Sequence, residues 1–453
     1  MPGVTLHASE QCAAVQSLDM TSPSLVAPRI ATLEEFDREL DTLLIGVTAR
    51  AADQERSGTL LRDDVAALQA LGFGALRLPV ESGGLGLSFE QYVERLIRVA
   101  AADSSLAHIY RGHIAFVEGL LAEYDPDPVN NRTWTRRIAR GDLIGNAQSE
   151  RNATADLTTV LERDGDRLTL TGRKYYTTGS IYADWIQLSA LDGEQWVGVT
   201  VSTSEPGVVS YDDWDGFGQL LTGTGTTTFD RVPVDPSDVV AARENPERGD
   251  HIAAVFQLVL LAVVAGIGRA ALRDTIEFVR PRRRIFGFAG ETLPREDTLV
   301  QETVGSVSSA ADAAVRLVLS GARDIEGAVR RRSGGGADAL GDVLLDVFRL
   351  QQVVAPIVLD AITELFEVGG ASAVSRTIAL DRHWRNARTV HSHNPAAQRR
   401  RAIGDFELNG QRPVWRGAAA SAAQATDAAG TPASITDDAG TPASTLTQPE
   451  ENR

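Results

Sequence analysis

The chain has few of the residues that build disulfides, membrane spans or phosphate-binding loops. Its 453 residues include one cysteine, Cys12, which excludes an internal disulfide framework and disfavours a cysteine-based metal site. The longest apolar run, Phe256 to Gly268, is shorter than the ~20 residues that span a bilayer. The chain starts without a basic stretch followed by an apolar one, and it has no Gly-x-Gly-x-x-Gly or P-loop sequence. We therefore expect a cytoplasmic protein with no membrane partner and no nicotinamide site.

Positive charge is also scarce. There are 44 lysines and arginines against 61 aspartates and glutamates, and the formal net charge of −17 disfavours nucleic acid as a partner. Lys174 is the only lysine, and its place in a predicted strand, close to a turn, favours a structural pairing with a carboxylate over catalysis. Arginine runs at 280–284, 330–332 and 399–401 are, by themselves, typical of solvated faces.

Three zones with different periodicity follow one another. Residues 32–145 have mostly helical spacing, residues 146–245 alternate apolar and polar residues between turn signals, and residues 250–394 return to long helical patterns. The predicted class is α+β, with an N-terminal helical domain (31–145), a small β domain (146–246) and a C-terminal four-helix bundle (247–412). The predicted bundle helices are Ile252–Arg280, Asp297–Ile325, Leu340–Val368 and Ser372–Thr389.

Both ends of the chain are small, polar and without periodicity. We expect residues 1–30 and 413–453 to be disordered. The second segment holds an imperfect nine-residue repeat that is too short and polar to bury a core, and we assign it no chemistry.

Histidines cluster in one segment. Residues 381–395 contain three of the seven histidines, and Arg382, Arg385 and Arg388 are spaced to form one stripe on a helix that Pro395 should end. Histidine suits proton transfer near neutral pH, and arginine suits anions. The segment indicates a functional site, and a solvated, charged helix end is the plain alternative.

Several motifs, in the right order, resemble the acyl-CoA dehydrogenase superfamily over about residues 32 to 410. They are Leu78-Pro-Val-Glu-Ser-Gly-Gly-Leu-Gly-Leu87, Arg283-Arg-Ile-Phe-Gly287 after a long helix, and the paired Gly369-Gly370. In the dehydrogenases of that superfamily, a glutamate shortly after an Arg-Asp-Ala segment removes the substrate proton. Here Arg385-Asn-Ala387 occupies that segment and Asn394 stands at the glutamate's place, and an amide cannot serve as this base.

Residues 382–395 resemble instead the flavin-dependent monooxygenase branch, in particular the dibenzothiophene monooxygenase group. Further stretches that resemble this group are Gly145-Asn-Ala-Gln-Ser-Glu150, Gly172-Arg-Lys-Tyr-Tyr-Thr-Thr-Gly179, Asp212-Asp-Trp214 and Thr222-Gly-Thr-Gly225. The resemblance implies a two-component enzyme that takes reduced FMN from an NADH-dependent flavin reductase. It implies that the enzyme reacts this FMN with O2 to a C4a-hydroperoxyflavin and oxygenates a small apolar or aromatic substrate at sulfur, nitrogen or carbon. It further implies a homotetramer with flavin sites shared between subunits.

The resemblance also implies roles for individual residues. His393, His391 and His108 are the expected catalytic residues, and the expected flavin-binding residues are Asn146, Ser149, Thr178, Trp214, Arg283, Gly369 and Gly370. If the chain before Pro395 is extended, His391 and His393 point the same way and can both face the flavin, and a helix C-terminus there favours a protonated imidazole. His113 should be structural. Gly112 stands where the group has a tyrosine, a departure that suggests a substrate other than dibenzothiophene.

Two other functions stay open. One is an FAD-dependent acyl-CoA dehydrogenase or oxidase, since some superfamily members carry the glutamate elsewhere. The other is a non-catalytic flavoprotein or a zinc-binding scaffold using His391 and His393, for which no third ligand is visible. The substrate cannot be read from the sequence.

Overall fold

A computed structural model describes residues 32–124, 127–151, 157–165, 167–241, 246–284, 292–333 and 339–413. Cys12, the N-terminal segment and the repeat-bearing tail lie outside these residues, as does the second half of the Arg283–Gly287 motif. The disorder predicted for the two ends therefore stays a prediction.

The first part of the chain is helical. The helices are α1 (Leu33–Ser57), α2 (Arg62–Leu71), α3 (Phe89–Ala102), α4 (Ser104–Ile109), α5 (Arg111–Leu121) and α6 (Pro128–Ala139). The Ser88 hydroxyl accepts a hydrogen bond from the Gln91 N–H, while the Gln91 side chain accepts one from the Ser88 N–H, so that a capping box starts α3. Asp103 caps α4 in a similar way through the Leu106 N–H. Tyr110 separates α4 from α5, so the helical pattern from Ile109 to Leu121 covers two helices.

The middle of the chain forms one sheet. Its strands are β1 (Ile144–Ala147), β2 (Val160–Asp164), β3 (Arg167–Tyr175), β4 (Trp185–Asp192), β5 (Gln195–Ser202), β6 (Val208–Ser210), β7 (Thr226–Val234) and β8 (Val239–Ala241). The strand order is β6-β7-β3-β2-β4-β5-β8, with β1 parallel to β4. The most regular alternation of apolar and polar residues in this zone falls on β3, β4, β5 and β7. The other strands are short or cross less regular sequence.

The last part of the chain is a helical bundle. Its helices are α7 (Pro246–Val279), α8 (Thr298–Ser333), α9 (Ala339–Glu364), α10 (Asp381–Ser392) and α11 (Ala396–Asn409). The prediction that the fourth bundle helix begins at Ser372 is wrong, because 3₁₀ turns occupy 365–372 and Ala379 has a left-handed φ of 56°. By length and composition α7 could cross a membrane, but 89% of its most apolar stretch is buried inside the protein. It is the central helix of the bundle.

The helices of both ends share one hydrophobic core, and the sheet has its own. Phe36, Leu96, Leu258 and Phe348 belong to the shared core. At the crossing of α3 and α7 a side chain on Gly266 would come within 2.3 Å of the Ala100 Cβ, so the two helices lie in close contact. The order helices, sheet, helices and the α+β class are confirmed, while the exact domain boundaries stay a prediction. Close packing of α3 on α7 brings α4 and α5, which follow α3, against the middle of the chain's longest apolar helix.

Candidate active site

Asn146 and Thr178 meet where the sheet touches the N-terminal helices. The Asn146 N–H donates to the Thr178 carbonyl at 3.3 Å, and both residues are buried. A Cβ on Gly112 at the start of α5 would lie 2.6 Å from the Asn146 Cβ, so α5 packs directly on β1. The Asn146 Oδ1 is buried without a hydrogen-bond partner among the described residues. Such an atom is costly unless something else binds it.

A chain of three threonine hydroxyls starts at Thr178. Its Oγ1 lies 2.8 Å from that of Thr224, which lies 2.7 Å from that of Thr222, and Thr222 donates to the Gln219 carbonyl at 2.9 Å. Because Thr222 uses its proton on that carbonyl, it accepts from Thr224, and Thr224 in turn accepts from Thr178. Thr178 therefore keeps only lone pairs for a further partner.

Gln219 fixes the tautomer of His108. The Gln219 Nε2 donates to the Ser104 Oγ at 2.9 Å, so its Oε1, 2.9 Å from the His108 Nδ1, accepts a proton from that nitrogen. The His108 Nε2 is then an unprotonated acceptor, and it is buried with no partner among the described residues. Burial, together with the charge of Arg111, lowers the pKa of His108 to about 4, although the bond to Gln219 acts to raise it. His108 is neutral at pH 7.

Gln219 was not predicted from the sequence, because it lies in an irregular loop without a motif. It is buried, has a left-handed φ of 55°, and its backbone N–H donates to the Asn386 Oδ1 of α10 at 2.5 Å. Gln219 therefore ties the loop before β7 to α4 on one side and to α10 on the other.

His393 lies close enough to His108 for the two side chains to interact electrostatically. The residue is exposed overall, while the protein around its ring desolvates it. This desolvation is the main cause of a pKa held well below the ordinary value, and Arg111, His108 and Arg399 add to it. The expectation that the helix C-terminus favours the protonated ring is therefore wrong, because desolvation and the charges of Arg111 and Arg399 outweigh the dipole.

His391 points elsewhere. The prediction of an extended chain before Pro395 is wrong, because α10 continues to Ser392 and His393 is itself helical, with φ −55° and ψ −35°. Two residues apart on a helix lie on different faces. His391 lines a cleft of about 340 Å³, open to solvent, with Leu260, Gln351 and Arg399. Burial and the nearby charges of Arg388 and Arg400 lower its pKa.

Asn394, which stands at the place of the dehydrogenase glutamate, is bound to the bundle. Its Nδ2 donates to the Gln257 Oε1 of α7 at 2.7 Å, and Arg399 donates to its Oδ1 at 3.4 Å. It lines the same cleft as His391.

Ser149 and Trp214 lie near the rim of the site. Ser149 is exposed, and its carbonyl accepts the Tyr175 N–H at 2.9 Å. The indole of Trp214 is half-buried, donates to the Gly218 carbonyl at 3.0 Å and lies 6.1 Å from the ring of Tyr176. Neither residue contacts the atoms that Asn146 and His108 leave free.

Three of the predicted flavin-binding residues, Arg283, Gly369 and Gly370, form a separate group at the other end of α7. Arg283 is exposed just beyond that helix, Gly370 has a left-handed φ of 51°, and a Cβ on Gly369 would lie 2.8 Å from Arg282 Nη1. Arg111 contacts α7 at Phe256, and the 26 residues from there to Arg282 span roughly 40 Å at 1.5 Å per residue. Arg282 therefore lies far along α7 from Arg111.

Two residues that we interpreted as structural have structural contacts. Both ring nitrogens of His113 bond to the backbone, Nε2 to the Gly74 carbonyl at 2.9 Å and Nδ1 to the Ile144 N–H at 3.2 Å. The buried Lys174 Nζ lies 2.8 Å from the Glu150 Oε1. Burial alone would raise the pKa of Glu150, but bonds from Lys174, Thr159 and Thr158 lower it to about 2, so the pair is ionised.

The arginine stripe on α10 is also tied to the protein. Arg382 and His383 both reach Asp274 of α7, at 2.5 and 2.8 Å, and Arg385 pairs with Glu55 and Asp381 at 2.8 Å each. These contacts hold α10 in place. Within the described part of the chain no group of three His, Cys, Asp or Glu could hold a metal.

Comparison with known proteins agrees with this arrangement. Residues 258–398 match the family described as acyl-CoA dehydrogenase, C-terminal domain. Dibenzothiophene monooxygenase of Rhodococcus qingshengii is 27% identical over 385 residues, which cover 81% of this chain and 91% of the relative. The probable FMNH2-dependent monooxygenase SfnC of Pseudomonas putida is 25% identical over 371 residues, covering 80% and 92%. The crystal structure of FMN-bound TdsC from Paenibacillus sp. A11-2 has a TM-score of 0.74 at 25% identity, covering 83% of this chain and 98% of that one. The resemblance to the acyl-CoA dehydrogenase superfamily and its monooxygenase branch is confirmed.

Proposed function

Because the chain has the fold of the acyl-CoA dehydrogenase superfamily and resembles its flavin-dependent monooxygenases over most of its length, we propose that it is a two-component monooxygenase. It uses reduced FMN and O2 to oxygenate a small organic substrate at sulfur, nitrogen or carbon. The observation that carries the proposal is a pair of buried atoms, Asn146 Oδ1 on β1 and His108 Nε2 on α4, that have no hydrogen-bond partner among the described residues.

The residues at this contact fit the isoalloxazine of a flavin. His108 and Thr178, whose hydrogen-bonding roles the protein fixes, both present lone pairs. A reduced isoalloxazine has more N–H groups than an oxidised one, so an acceptor lining suits the reduced form. Reduced FMN, when bound, supplies the electrons for oxygen activation. Asn146 and Thr178 would hold and orient the ring.

The two histidines have different roles in this proposal. His393 is neutral at pH 7, so it takes up a proton before it delivers one, and its contact with solvent lets it exchange that proton. His108 is sealed and its Nδ1 proton is held by Gln219, so it acts as a fixed acceptor. Tight packing around Asn146, Thr178 and Gly112 keeps bulk water away from the reacting edge of the ring.

The phosphate of FMN would be bound by a second copy of the chain. Arg283, Gly369 and Gly370 lie toward the end of α7 that is far from Arg111, and the resemblance implies a flavin site shared between subunits. Arginine suits a phosphate group, and the glycines leave room beside Arg282. A homotetramer in the cytoplasm, supplied by a separate NADH-dependent flavin reductase, completes the proposal.

Dehydrogenation of an acyl-CoA with FAD is disfavoured by the position of Asn394. Its side chain bonds to Gln257 and Arg399 and lies 3.1 Å from the His393 Nδ1, and as an amide it cannot remove a substrate proton.

The test mixes the FMNH2-loaded protein with oxygen and follows flavin absorbance by stopped flow. We expect the return of oxidised FMN to be delayed relative to free FMNH2. His393→Ala should shorten the delay by at least about ten-fold, since general acid–base groups contribute about 10² to 10⁴. His391→Ala is the matched control and should keep the delay. No delay in the unaltered protein, together with turnover of an acyl-CoA by the FAD-loaded protein, would refute the proposed function. An equal loss in both variants would refute only the assignment to His393.

A further inference from the structure

Arg111 is a buried cation that has no counter-ion among the described residues. It is the first residue of α5 and is 5% exposed. Its Nε donates to the Phe256 carbonyl at 3.2 Å, and its Cζ lies 4.4 Å from the centre of the Phe256 ring. Among the described residues no carboxylate lies within ion-pair distance of it, and its two Nη atoms bond to no acceptor. These Nη atoms are also not sealed from solvent.

The other buried arginines are paired. Arg77 lies 2.6 Å from Glu118 and Arg95 lies 2.5 Å from Asp37. A buried, unpaired charge is strongly unfavourable. Arg111 is moreover at a helix N-terminus, where the dipole disfavours positive charge. Burial lowers its pKa to about 9, which leaves the guanidinium charged at neutral pH.

The charge of Arg111 acts within the candidate site. It lowers the pKa of His108 and of His393, and the charge of Arg399 acts on His393 in the same direction. No acidic residue is among the main causes of either shift, although the whole chain has a net charge of −17. The charges that act on these two rings are therefore those of arginines.

We propose that Arg111 binds an anionic group of the substrate, a carboxylate or a sulfur oxyanion, while the ring of Phe256 contacts the substrate's apolar part. A guanidinium forms two parallel bonds with such an oxyanion. This inference rests on the proposed monooxygenase function and narrows its substrate to small organic anions.

Binding can be measured without turnover. Calorimetry at fixed ionic strength and pH 8 would compare benzoate and benzenesulfinate with benzamide, a neutral molecule of similar shape. We expect at least one anion to bind about ten-fold or more tightly than benzamide. Arg111→Gln should remove this difference and Arg111→Lys should keep part of it. Arg388→Gln also removes one positive charge, but on α10 beside His391, and should change nothing.

FMN titration of the same proteins separates substrate from cofactor. We expect Arg111→Gln to bind FMN as the unaltered protein does. If its FMN affinity falls while anion binding is unchanged, Arg111 serves the flavin and the inference is wrong. If no anion binds more tightly than benzamide although FMN binds and delays oxidation, the inference fails and the proposed function stands. If anions bind through Arg111 but no flavin does, the proposed function fails instead.

Thermal unfolding gives an independent reading. Because Arg111 lacks a partner, Arg111→Met should leave the Tm unchanged or raise it when no anion is present, whereas Arg95→Met should lower it. Benzoate should raise the Tm of the unaltered protein and not that of Arg111→Met. A lower Tm for Arg111→Met without anions would mean that the guanidinium is already paired in the folded protein, and would contradict the inference.

Discussion

Replacing Gln219 changes the charge and the tautomer of His108 separately. With its pKa lowered to about 4, His108 holds a second proton in about one molecule in a thousand at pH 7. Gln219→Glu puts a carboxylate at the atom that now lies 2.9 Å from the His108 Nδ1. A carboxylate at hydrogen-bond distance shifts a partner's pKa by about 1 to 3 units, so His108 should titrate between about 5 and 7.

Gln219→Leu acts on the tautomer instead. It removes both side-chain bonds of Gln219 and leaves the Ser104 hydroxyl and the His108 Nδ1–H without partners. Each unmade bond costs about 1 to 3 kcal/mol, so the variant should lose about 2 to 6 kcal/mol of unfolding free energy. Moving the proton to Nε2 relieves part of this cost, because that nitrogen faces the site and can meet water or flavin. The lone pair that His108 offers to the site is then lost.

The assay is ¹⁵N NMR of the imidazole nitrogens from pH 4 to pH 8, together with the delay in flavin oxidation. We expect a bare Nε2 in the unaltered protein and a protonated Nε2 in Gln219→Leu. Gln351→Leu is the control, since it removes a buried bond to Gln257 and should not alter the His108 signals. A His108 that titrates near 4 in Gln219→Glu and keeps a bare Nε2 in Gln219→Leu would refute the role given to Gln219.

Three further substitutions test the fold around the site. Among the described residues neither ring nitrogen of His251 has a hydrogen-bond partner, and burial lowers its pKa from 6.5 to about 4. Unfolded chains therefore gain a proton as the pH falls through this range, and stability is lost. His251→Phe should remove roughly 3 kcal/mol of that loss, measured by urea unfolding at pH 7 and pH 4.5, and an unchanged pH dependence would show that the folded protein protonates this ring. Lys174→Met leaves the Glu150 carboxylate buried without its cation and should lower the free energy of unfolding by about 3 to 5 kcal/mol, measured by thermal unfolding. Adding Glu150→Gln should restore most of this loss, whereas additive losses in the double variant would contradict the pairing. Gly112→Ala places a methyl group against Asn146, so it should lower the free energy of unfolding by about 1 to 3 kcal/mol and weaken FMN binding. Gly305→Ala is the control, because a Cβ there would have no other atom within 4 Å, and it should stabilise the protein by up to about 1 kcal/mol. Equal effects of the two alanines would show that position 112 has room for a side chain.

The sequence carried the class of the fold and part of the site because both depend on local patterns. Asn146 and Thr178 stand in short motifs on or near strands whose alternation is regular, and the structure joins them by a backbone hydrogen bond. Gln219 and Arg111 have no such signal. Arg111 is one charged residue in an apolar helical run, and only the folded contacts show that no carboxylate reaches it.

The position of the two histidines in the last segment was misjudged for a specific reason. Proline restricts the backbone of the residue directly before it, and here that residue is Asn394. The helix can therefore continue through Ser392, and His393 keeps helical torsion angles. A difference of one residue in where α10 ends decides which histidine faces His108.

The preference for oxygen chemistry depends on this geometry more than on the lack of a glutamate. The side chain at position 394, just after α10, bonds to Gln257 and Arg399. A carboxylate at that position would therefore lie next to the cation Arg399. Such a neighbour lowers a carboxylate's pKa and makes it a weaker base. The titratable or charged groups near His108 are His393, which is neutral at pH 7, and Arg111, which has no carboxylate within ion-pair distance among the described residues. They can accept and return protons and hold an anion, which are the tasks that a monooxygenase site leaves to the protein once the flavin and O2 supply the redox chemistry.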